Sequence, residues 1–234
     1  MQRIDIYPLG NLSEEYNQSM HMYLTHLVEK YPMYVTVAQE APGYKILDNS
    51  LIELGGAVEL SRVLRAAEMI AADEIILPDV FQKGPETLEA VSRALEELQG
   101  QPKAYKLMAV AQGRNLQEWY DCYQKLLNIP EIDVIGIPKV LAKMHPAGRP
   151  GVVNDLCDLN KKPHHLLGLW YSFEELDRYE YPEKIRSVDT VLLTYMAKYN
   201  LAYGSVRPDG FTIDLEHDVV NYSNVKGAHR YDFS

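Results

Sequence analysis

Four short apolar runs in this chain each end in a side chain that can transfer a proton or hydrogen-bond a ligand. The runs span residues 44–49, 74–79, 107–113 and 187–190. Continuous apolar runs of this length, alternating with helical segments, are typical of buried parallel strands. The polar residues at their ends are Asp48, Asp79, Gln112 and Asp189. A (β/α) barrel carries its active site at the carboxyl ends of its strands, so the pattern predicts that these four side chains meet at one rim.

Length and composition favour one globular domain. The 234 residues suffice for a single α/β barrel over 1–234, with 205–234 as a C-terminal segment of uncertain structure. No apolar stretch is long enough to span a bilayer, and the first residues lack the apolar core of a signal peptide. We therefore expect a cytoplasmic protein without membrane contact. The net charge of −10 predicts repulsion from nucleic acid unless a local basic patch overrides it.

The cysteines and histidines give no sign of a metal or a disulfide. Cys122 and Cys157 have no paired spacing, and the histidines show no metal-ligand spacing. We therefore predict no metal and no other cofactor. His164 and His165 precede a predicted strand and are expected to pack at the floor of the barrel.

Strand candidates recur about every thirty residues, the length of one βα unit. Six strands can be assigned, and we expect the eight of a single-domain α/β fold of the TIM (β/α)8 type, irregular or with a C-terminal extension. Amphipathic helices are predicted over 57–72, over 84–98 and from the Asn115 cap to Leu127. The sequence also predicts a helix over 14–30, a strand over 33–38 and a strand-like run over 211–215, and it shows no regular pattern over 147–163.

Each strand-end side chain has a chemical and a structural interpretation. Asp48 could transfer protons after desolvation, or form the turn that Asp-Asn-Ser favours. Asp79 could bind a ligand amide or amidine, or cap the next loop. Gln112 could hydrogen-bond a purine edge, or a neighbouring strand end. Asp189 could attack an electrophilic carbon and form a covalent intermediate, or be a solvated loop acid.

Glycines and lysines near these ends have the same two interpretations. Backbone amides near Gly113, Gly136, Ile137 and Gly168 could bind a ligand, although structural turns explain these residues as well. One concentrated basic stretch flanks the strand that ends at residue 138. Its members are Lys139, Lys143, Arg149, Lys161 and Lys162. A phosphate-contact patch and a plain solvated surface fit this stretch equally well.

In their order along the chain, these strand ends resemble the motifs of the tRNA-guanine transglycosylase superfamily. The family's Asp-Ser-Gly-Gly-Phe-Gln corresponds to residues 48–53, which keep only the acid. Its base-reading acid corresponds to Asp79 and its Val-Gln-Gly-Gly to residues 111–114. Its glycine-rich strand end, its Met-Gly and its nucleophilic aspartate correspond to 135–138, 167–168 and Asp189. The resemblance covers about Ile46 to Thr190.

The family's zinc motif of three cysteines and a histidine is absent from this sequence, as is its C-terminal helical extension. The chain therefore looks more like the compact branch of phages and bacterial modification clusters that inserts 7-deazaguanines into DNA. This resemblance implies a TIM barrel that replaces guanine in DNA through a covalent intermediate on Asp189. Asp48 would be the general acid and base. DNA and a 7-deazaguanine would be the partners, in the host cytoplasm if a phage encodes the chain, and the acidic charge suggests a helper protein.

The resemblance also assigns the substrate contacts. They would come from Asn49, Asp79, Gln112, Gly113, Gly136, Ile137 and Gly168. The basic stretch would hold the DNA backbone while the target guanine is flipped out of the stack. Three alternatives remain open: a tRNA enzyme without zinc, a barrel that hydrolyses or binds a deazapurine or nucleoside, and a barrel whose strand-end acids only cap loops.

Overall fold

Eight parallel strands form a nearly closed barrel in the computed structural model, which describes residues 1–100, 104–210 and 212–225. The strands are β1 (Gln2–Asp5), β2 (Met20–Leu24), β3 (Tyr44–Asp48), β4 (Glu74–Ile76), β5 (Lys106–Val110), β6 (Val134–Pro138), β7 (His164–Leu169) and β8 (Ile185–Thr190). They are hydrogen-bonded in the order β1-β8-β7-β6-β5-β4-β3-β2, and β1 also contacts β2. The predicted TIM-type α/β barrel is therefore confirmed.

Helices follow most strands and pack around the barrel. The α-helices of the described residues are α1 (Thr25–Lys30), α2 (Pro32–Glu40), α3 (Leu51–Leu54), α4 (Leu60–Ile70), α5 (Gly84–Leu98), α6 (Leu116–Leu127), α7 (Gly148–Leu156) and α8 (Leu192–Lys198). Short 3₁₀ helices cover Leu9–Asn17, Lys139–Lys143, Phe173–Arg178, Pro182–Lys184 and Tyr222–Asn224. The bounds of α5 are those predicted, and Asn115 caps α6 as predicted, accepting a hydrogen bond from Glu118 N at 3.0 Å. None of the helices described here combines the length and hydropathy needed to cross a bilayer.

Two apolar layers hold the barrel together. Successive side chains of a strand point to opposite faces, so a strand covered by helices is buried on both sides. Met22, Ile46, Ile76, Met108 and Val110 belong to the layer inside the barrel. A larger cluster packs the outer strand faces against the helices. The inner layer fills the middle of the barrel and forms a floor beneath the carboxyl ends of the strands.

A buried ion pair lies at the opposite, amino-terminal end of the barrel. Glu74 is fully buried at the start of β4 and accepts hydrogen bonds from Arg186 Nη1 at 2.6 Å and Nη2 at 3.1 Å. The Tyr44 hydroxyl donates to the same carboxylate at 2.8 Å. These hydrogen bonds offset the cost of burying the carboxylate and tie β3, β4 and β8 together.

Two predictions near the N-terminus are wrong. Residues 14–30 are divided among the first 3₁₀ helix, β2 and α1. Because β2 is buried on both faces, its apolar run lacks the alternation that distinguishes a strand from a helix. Residues 33–38 lie in α2, where Tyr34 and Ala38, one turn apart, face the core while Met33 is exposed. Burial of this helical face overrides the β propensity of the valine and threonine side chains.

The segment 147–163 and the described part of the C-terminal segment both have defined positions. Within 147–163 lies α7, with Pro150 in its first turn, where proline is tolerated. Residues 212–215 form no strand, and Phe211 lies outside the described residues. The described residues of the C-terminal segment instead pack on the barrel, where Asn11 and Val220 exchange hydrogen bonds of 2.8 and 2.9 Å.

Candidate active site

A cavity of about 400 Å³ opens at the carboxyl ends of the strands and brings the four predicted strand-end residues together. Asp48 ends β3, Asp79 and Gln112 follow β4 and β5, and Asp189 lies near the end of β8. The volume is within the range of small-molecule sites. Apolar side chains form much of the wall and floor, among them Ile6, Met22, Ile52, Ile76, Phe81, Val110, Leu167, Trp170 and Tyr171. The described residues include no group of His, Cys, Asp and Glu arranged to bind a metal ion.

Asp189 is oriented by two hydrogen bonds to the same oxygen. Its Oδ1 accepts from Gly168 N at 2.9 Å and from His165 Nε2 at 3.1 Å. Gly168 has a φ of +68°, a conformation that glycine adopts without strain. Among the described residues, Asp189 Oδ2 has no hydrogen-bond partner. The arrangement fixes the carboxylate and leaves one oxygen for a ligand.

His165 is a site residue that the sequence analysis misplaced. It lies on β7 inside the barrel, where its Nε2 bonds Asp189 and its Nδ1 lies 2.8 Å from Ser187 Oγ. His164, on the opposite strand face, bonds the Tyr123 hydroxyl outside the barrel at 3.1 Å. The expectation that both histidines pack at the barrel floor is therefore wrong. The alternation of side chains along a strand predicts that the two histidines face opposite sides, but it does not predict which residue either ring contacts.

Asp79 is held between two amide side chains. Its Oδ1 accepts from Asn49 Nδ2 at 2.8 Å, and its Oδ2 accepts from Gln112 Nε2 at 2.6 Å. Burial raises the pKa of Asp79 to about 6, although both hydrogen bonds favour the ionised form. The Gln112 carbonyl oxygen accepts from Gln82 N at 3.0 Å, which fixes the orientation of the amide.

Asn49 positions Asp79 and has little capacity left for a substrate. Its second Nδ2 proton goes to Leu77 O at 2.8 Å, and its Oδ1 accepts from Leu51 N at 3.0 Å. The side chain is almost fully buried. The predicted direct contact between Asn49 and the substrate is therefore not supported.

Asp48 lies half-buried on the cavity wall and has a strongly raised pKa. Burial is the main cause, and the nearby carboxylates of Glu53, Asp189 and Asp79 raise the pKa further. Its Oδ1 accepts a hydrogen bond from Ser50 N at 2.6 Å, which acts in the opposite direction. The raised pKa thus favours the neutral, proton-donating form of the carboxyl group over the form an exposed aspartate adopts.

Lys139, Glu53 and Trp170 also line the cavity. Lys139 Nζ lies 3.6 Å from the centroid of the Trp170 ring, and burial lowers its pKa to about 8. Glu53 lies at the exposed mouth, where partial desolvation raises the pKa of its carboxyl. The sequence analysis did not single out Glu53 or Trp170 as site residues, because it considered only carboxylate and amide side chains, glycines and lysines at the strand ends.

The predicted basic patch is not assembled. Arg149 is completely buried, and its guanidinium is occupied by Glu175 and by backbone carbonyls, so its predicted nucleic-acid contact is wrong. Lys161 and Lys162 precede β7 at the opposite end of the barrel, where they bond Asn128 and the carbonyls of Ile129 and Ile132. Lys139 and Lys143 do line the cavity. A stretch that is basic in sequence is therefore divided between the two ends of the barrel, and its arginine is buried between α7 and the strand ends.

Three of the predicted ligand-contacting backbone positions lie outside the cavity wall. A Cβ on Gly136 would lie 2.9 Å from side-chain atoms of Val110 and Leu167 inside the barrel. Ile137 is fully buried in the outer apolar layer, and Gly113 packs against α6. Gly168 does line the cavity, where its N–H holds Asp189. The glycines at 113 and 136 thus serve packing, the structural interpretation left open by the sequence.

The packing of Gly113 predicts a stability effect. A Cβ there would lie 2.2 Å from Trp119 N, so we expect Gly113→Ala to lower the free energy of unfolding by about 1–3 kcal/mol as α6 is displaced. Urea denaturation measures the effect. Gly56→Ala is the control, since its Cβ would meet nothing within 4 Å, and its change should stay within about 0.5 kcal/mol. Equal stability of the two variants would contradict the packing role.

No family model matches the chain, and a search of curated proteins finds no match either. The fold is that of an α/β barrel, which hosts many chemistries. The function must therefore be inferred from the geometry of the cavity.

Proposed function

We propose that this barrel is a base-exchange transglycosylase that replaces guanine in DNA with a 7-deazaguanine through a covalent intermediate on Asp189. The observation that carries the proposal is the shared cavity. It contains the oriented carboxylate of Asp189, which has one oxygen without a hydrogen bond within the described residues. It also contains the carboxyl group of Asp48, whose raised pKa favours the acid form, and the carboxylate of Asp79, which is held by two amides. These are the groups needed to attack C1′, to protonate the leaving base and to bind a purine edge.

Asp189 is assigned the nucleophile. Its Oδ2 attacks C1′ as the bond from C1′ to the base nitrogen breaks, which forms an ester between Asp189 and the sugar. The hydrogen bonds from Gly168 and His165 to Oδ1 restrict the carboxylate to one orientation. A fixed orientation lowers the entropic cost of reaching the transition state.

Asp48 is assigned the proton transfers. Its raised pKa favours the protonated carboxyl, the form that donates a proton to the departing base. The resulting carboxylate then removes a proton from the incoming 7-deazaguanine, whose nitrogen attacks C1′ and releases Asp189. Over the full cycle both aspartates return to their starting states, and no net proton is consumed.

Asp79 and Gln112 are assigned the recognition of the base. A carboxylate has about four acceptor positions, and Asn49 and Gln112 occupy two of those on Asp79. The remaining two match the N1–H and 2-amino groups of guanine. The Gln112 amide has a second N–H, with no acceptor among the described residues, that suits the 6-oxo group. Adenine presents neither the N1–H nor the 2-amino group.

This recognition predicts a pH dependence of base binding. Only the ionised carboxylate of Asp79 accepts both N–H groups, so the affinity for guanine should be highest above the pKa of about 6 and fall about tenfold per pH unit below it. Asp79→Asn should weaken binding about 10–100-fold and remove this part of the pH dependence. Calorimetric titration measures both. Hypoxanthine, which lacks the 2-amino group, is the matched ligand, and an unchanged preference for guanine in Asp79→Asn would contradict the assignment.

A second candidate function acts on free nucleosides or nucleotides. The burial of Arg149 and the remote position of Lys161 and Lys162 leave Lys139 and Lys143 as the cavity lysines of the described residues. With a net charge of −10, this favours a small substrate or DNA delivered by a helper protein.

Transfer of a radiolabelled 7-deazaguanine base tests the proposal. The purified protein is incubated with the labelled base and, in parallel, with duplex DNA, single-stranded DNA, tRNA or deoxyguanosine. Label in DNA supports the proposal, and label in tRNA or deoxyguanosine alone identifies the corresponding alternative. Release of guanine without label transfer would indicate hydrolysis. No reaction with any acceptor, together with no binding of guanine, would refute the site assignment.

A further inference from the structure

Lys139 places an amine in the cavity without a hydrogen-bonded anionic partner. The residue follows β6, and its half-buried side chain lines the cavity with Asp189 and Glu53. Within the described residues, Nζ makes no hydrogen bond and no ion pair, and its contact is with the face of Trp170. A lysine that is partly removed from water and left unpaired is available to a ligand.

The side chain of Lys139 lies against the residue that orients Asp189. A Cβ on Gly168 would lie 3.0 Å from Lys139 Cδ, and the Gly168 N–H donates to Asp189 Oδ1 at 2.9 Å. The amine and the carboxylate therefore border the same part of the cavity. A sugar released from Asp189 would therefore lie in the part of the cavity that the lysine stem borders.

We propose that Lys139 is a nucleophilic amine that forms an imine with an aldehyde bound in this cavity. The identity of the aldehyde rests on the proposed function. It is the open-chain C1′ aldehyde of a 2-deoxyribose that has lost its base and has been released from Asp189 by water. In the absence of an incoming base, Lys139 thus captures the abasic sugar and holds it in the site.

The chemistry balances without an oxidant or a reductant. One water hydrolyses the ester between Asp189 and C1′, and the resulting abasic sugar opens to the aldehyde. The lone pair of Lys139 Nζ attacks C1′, and a proton moves from nitrogen to oxygen to give a carbinolamine. Asp48 or Glu53, both with raised pKa values, then donates a proton as the C–O bond breaks, and water leaves to form the imine.

The surroundings of Lys139 favour the reactive, neutral amine. Burial lowers its pKa to about 8, aided by Arg207 and Arg149 and opposed by Asp189 and Glu53. Roughly a tenth of the amine is neutral at pH 7, against well under a thousandth for an ordinary lysine. Imine formation should therefore increase with pH up to about 8 and then level off.

Borohydride reduction tests the proposal on the full chain. The protein is mixed with an oligonucleotide that carries an abasic site, and borohydride converts any imine into a stable amine. We expect a covalent protein–DNA adduct, mapped by peptide mass spectrometry to Lys139 and not to Lys143. Lys139→Arg, which keeps the charge, should lose the adduct, whereas Lys161→Met at the opposite end of the barrel should retain it. Circular dichroism verifies that both variants fold.

Glycolaldehyde is the second probe, because a small aldehyde reacts without DNA binding. If Lys139 forms an adduct with glycolaldehyde but not with the abasic oligonucleotide, the amine forms imines, but deoxyribose is not the aldehyde that it binds. Adducts without any base exchange would refute the proposed function but not the nucleophilic lysine. Three results would each overturn the inference. They are base exchange with no adduct from either probe, an unchanged adduct in Lys139→Arg, and an adduct on another lysine.

Discussion

Asp189→Asn is expected to lower base exchange by at least about a thousandfold and to leave the fold intact. The amide retains an oxygen that can accept the hydrogen bonds from Gly168 and His165, so the carboxyl end of β7 keeps its conformation. It lacks the anionic oxygen that attacks C1′ in the proposed reaction. Without that attack, neither the covalent intermediate nor the exchanged product forms.

Two measurements separate this result from a general loss of binding. Intact-mass spectrometry, with guanine-containing DNA and no incoming base, should show an oligonucleotide adduct for the wild type and none for Asp189→Asn. Guanine affinity should change little, because Asp79 and Gln112 are untouched. Asp121→Asn, an exposed residue on α6, is the matched control and should exchange bases at the wild-type rate. An adduct of normal yield in Asp189→Asn would show that another residue is the nucleophile.

Asp189 also lies at the end of a hydrogen-bond chain that crosses the barrel. Glu74 binds Arg186, whose Nε donates to Ser187 Oγ at 3.0 Å. Ser187 lies 2.8 Å from His165 Nδ1, and His165 Nε2 lies 3.1 Å from Asp189. With Ser187 as donor to Nδ1, the His165 proton is on Nε2, where it can be donated to Asp189. The buried ion pair at the amino-terminal end of the barrel thus supports the orientation of the proposed nucleophile.

The positions of Asp48, Asp79, Gln112 and Asp189 could be predicted because local pattern determines them. An apolar run predicts a strand, and parallel strands of a barrel place their carboxyl ends on one rim. The roles of His165 and Arg149 could not be predicted in this way. Their partners lie on other strands and helices, and a sequence pattern carries no information about which distant groups meet.

The errors at the N-terminus have a related cause. The run from Met20 to Leu24 is buried on both faces, so it lacks the alternation of a half-exposed strand. The helix α2 is amphipathic, but its valine and threonine residues favour a strand when taken alone. In both cases the surrounding barrel decides the local structure. The helix α5, with proline in its first turn and a long apolar stripe, needs no such context.

Arg149→Met is expected to destabilise the protein by about 3–5 kcal/mol, the usual cost of removing one partner from a buried charge pair. The guanidinium donates to Leu167 O at 2.8 Å, Gly168 O at 3.1 Å and Ile137 O at 3.3 Å, and to Glu175 at 2.7 Å. Methionine fills similar space but leaves these acceptors without their donor. Urea denaturation measures the loss, and Lys161→Met, an exposed lysine from the same basic stretch, should change stability by no more than about 0.5 kcal/mol.

The same variant separates a structural role of Arg149 from a phosphate contact. Loss of a phosphate contact would reduce the salt dependence of DNA binding by about one counterion and leave the free energy of unfolding unchanged. Loss of the buried hydrogen-bond network should instead lower the free energy of unfolding and leave the salt dependence of DNA binding unchanged. Because Arg149 binds the carbonyl of Gly168, whose N–H holds Asp189, base exchange should also fall in Arg149→Met at temperatures where the variant remains folded. A stable variant with a reduced salt dependence would restore the DNA-binding interpretation that the burial of Arg149 contradicts.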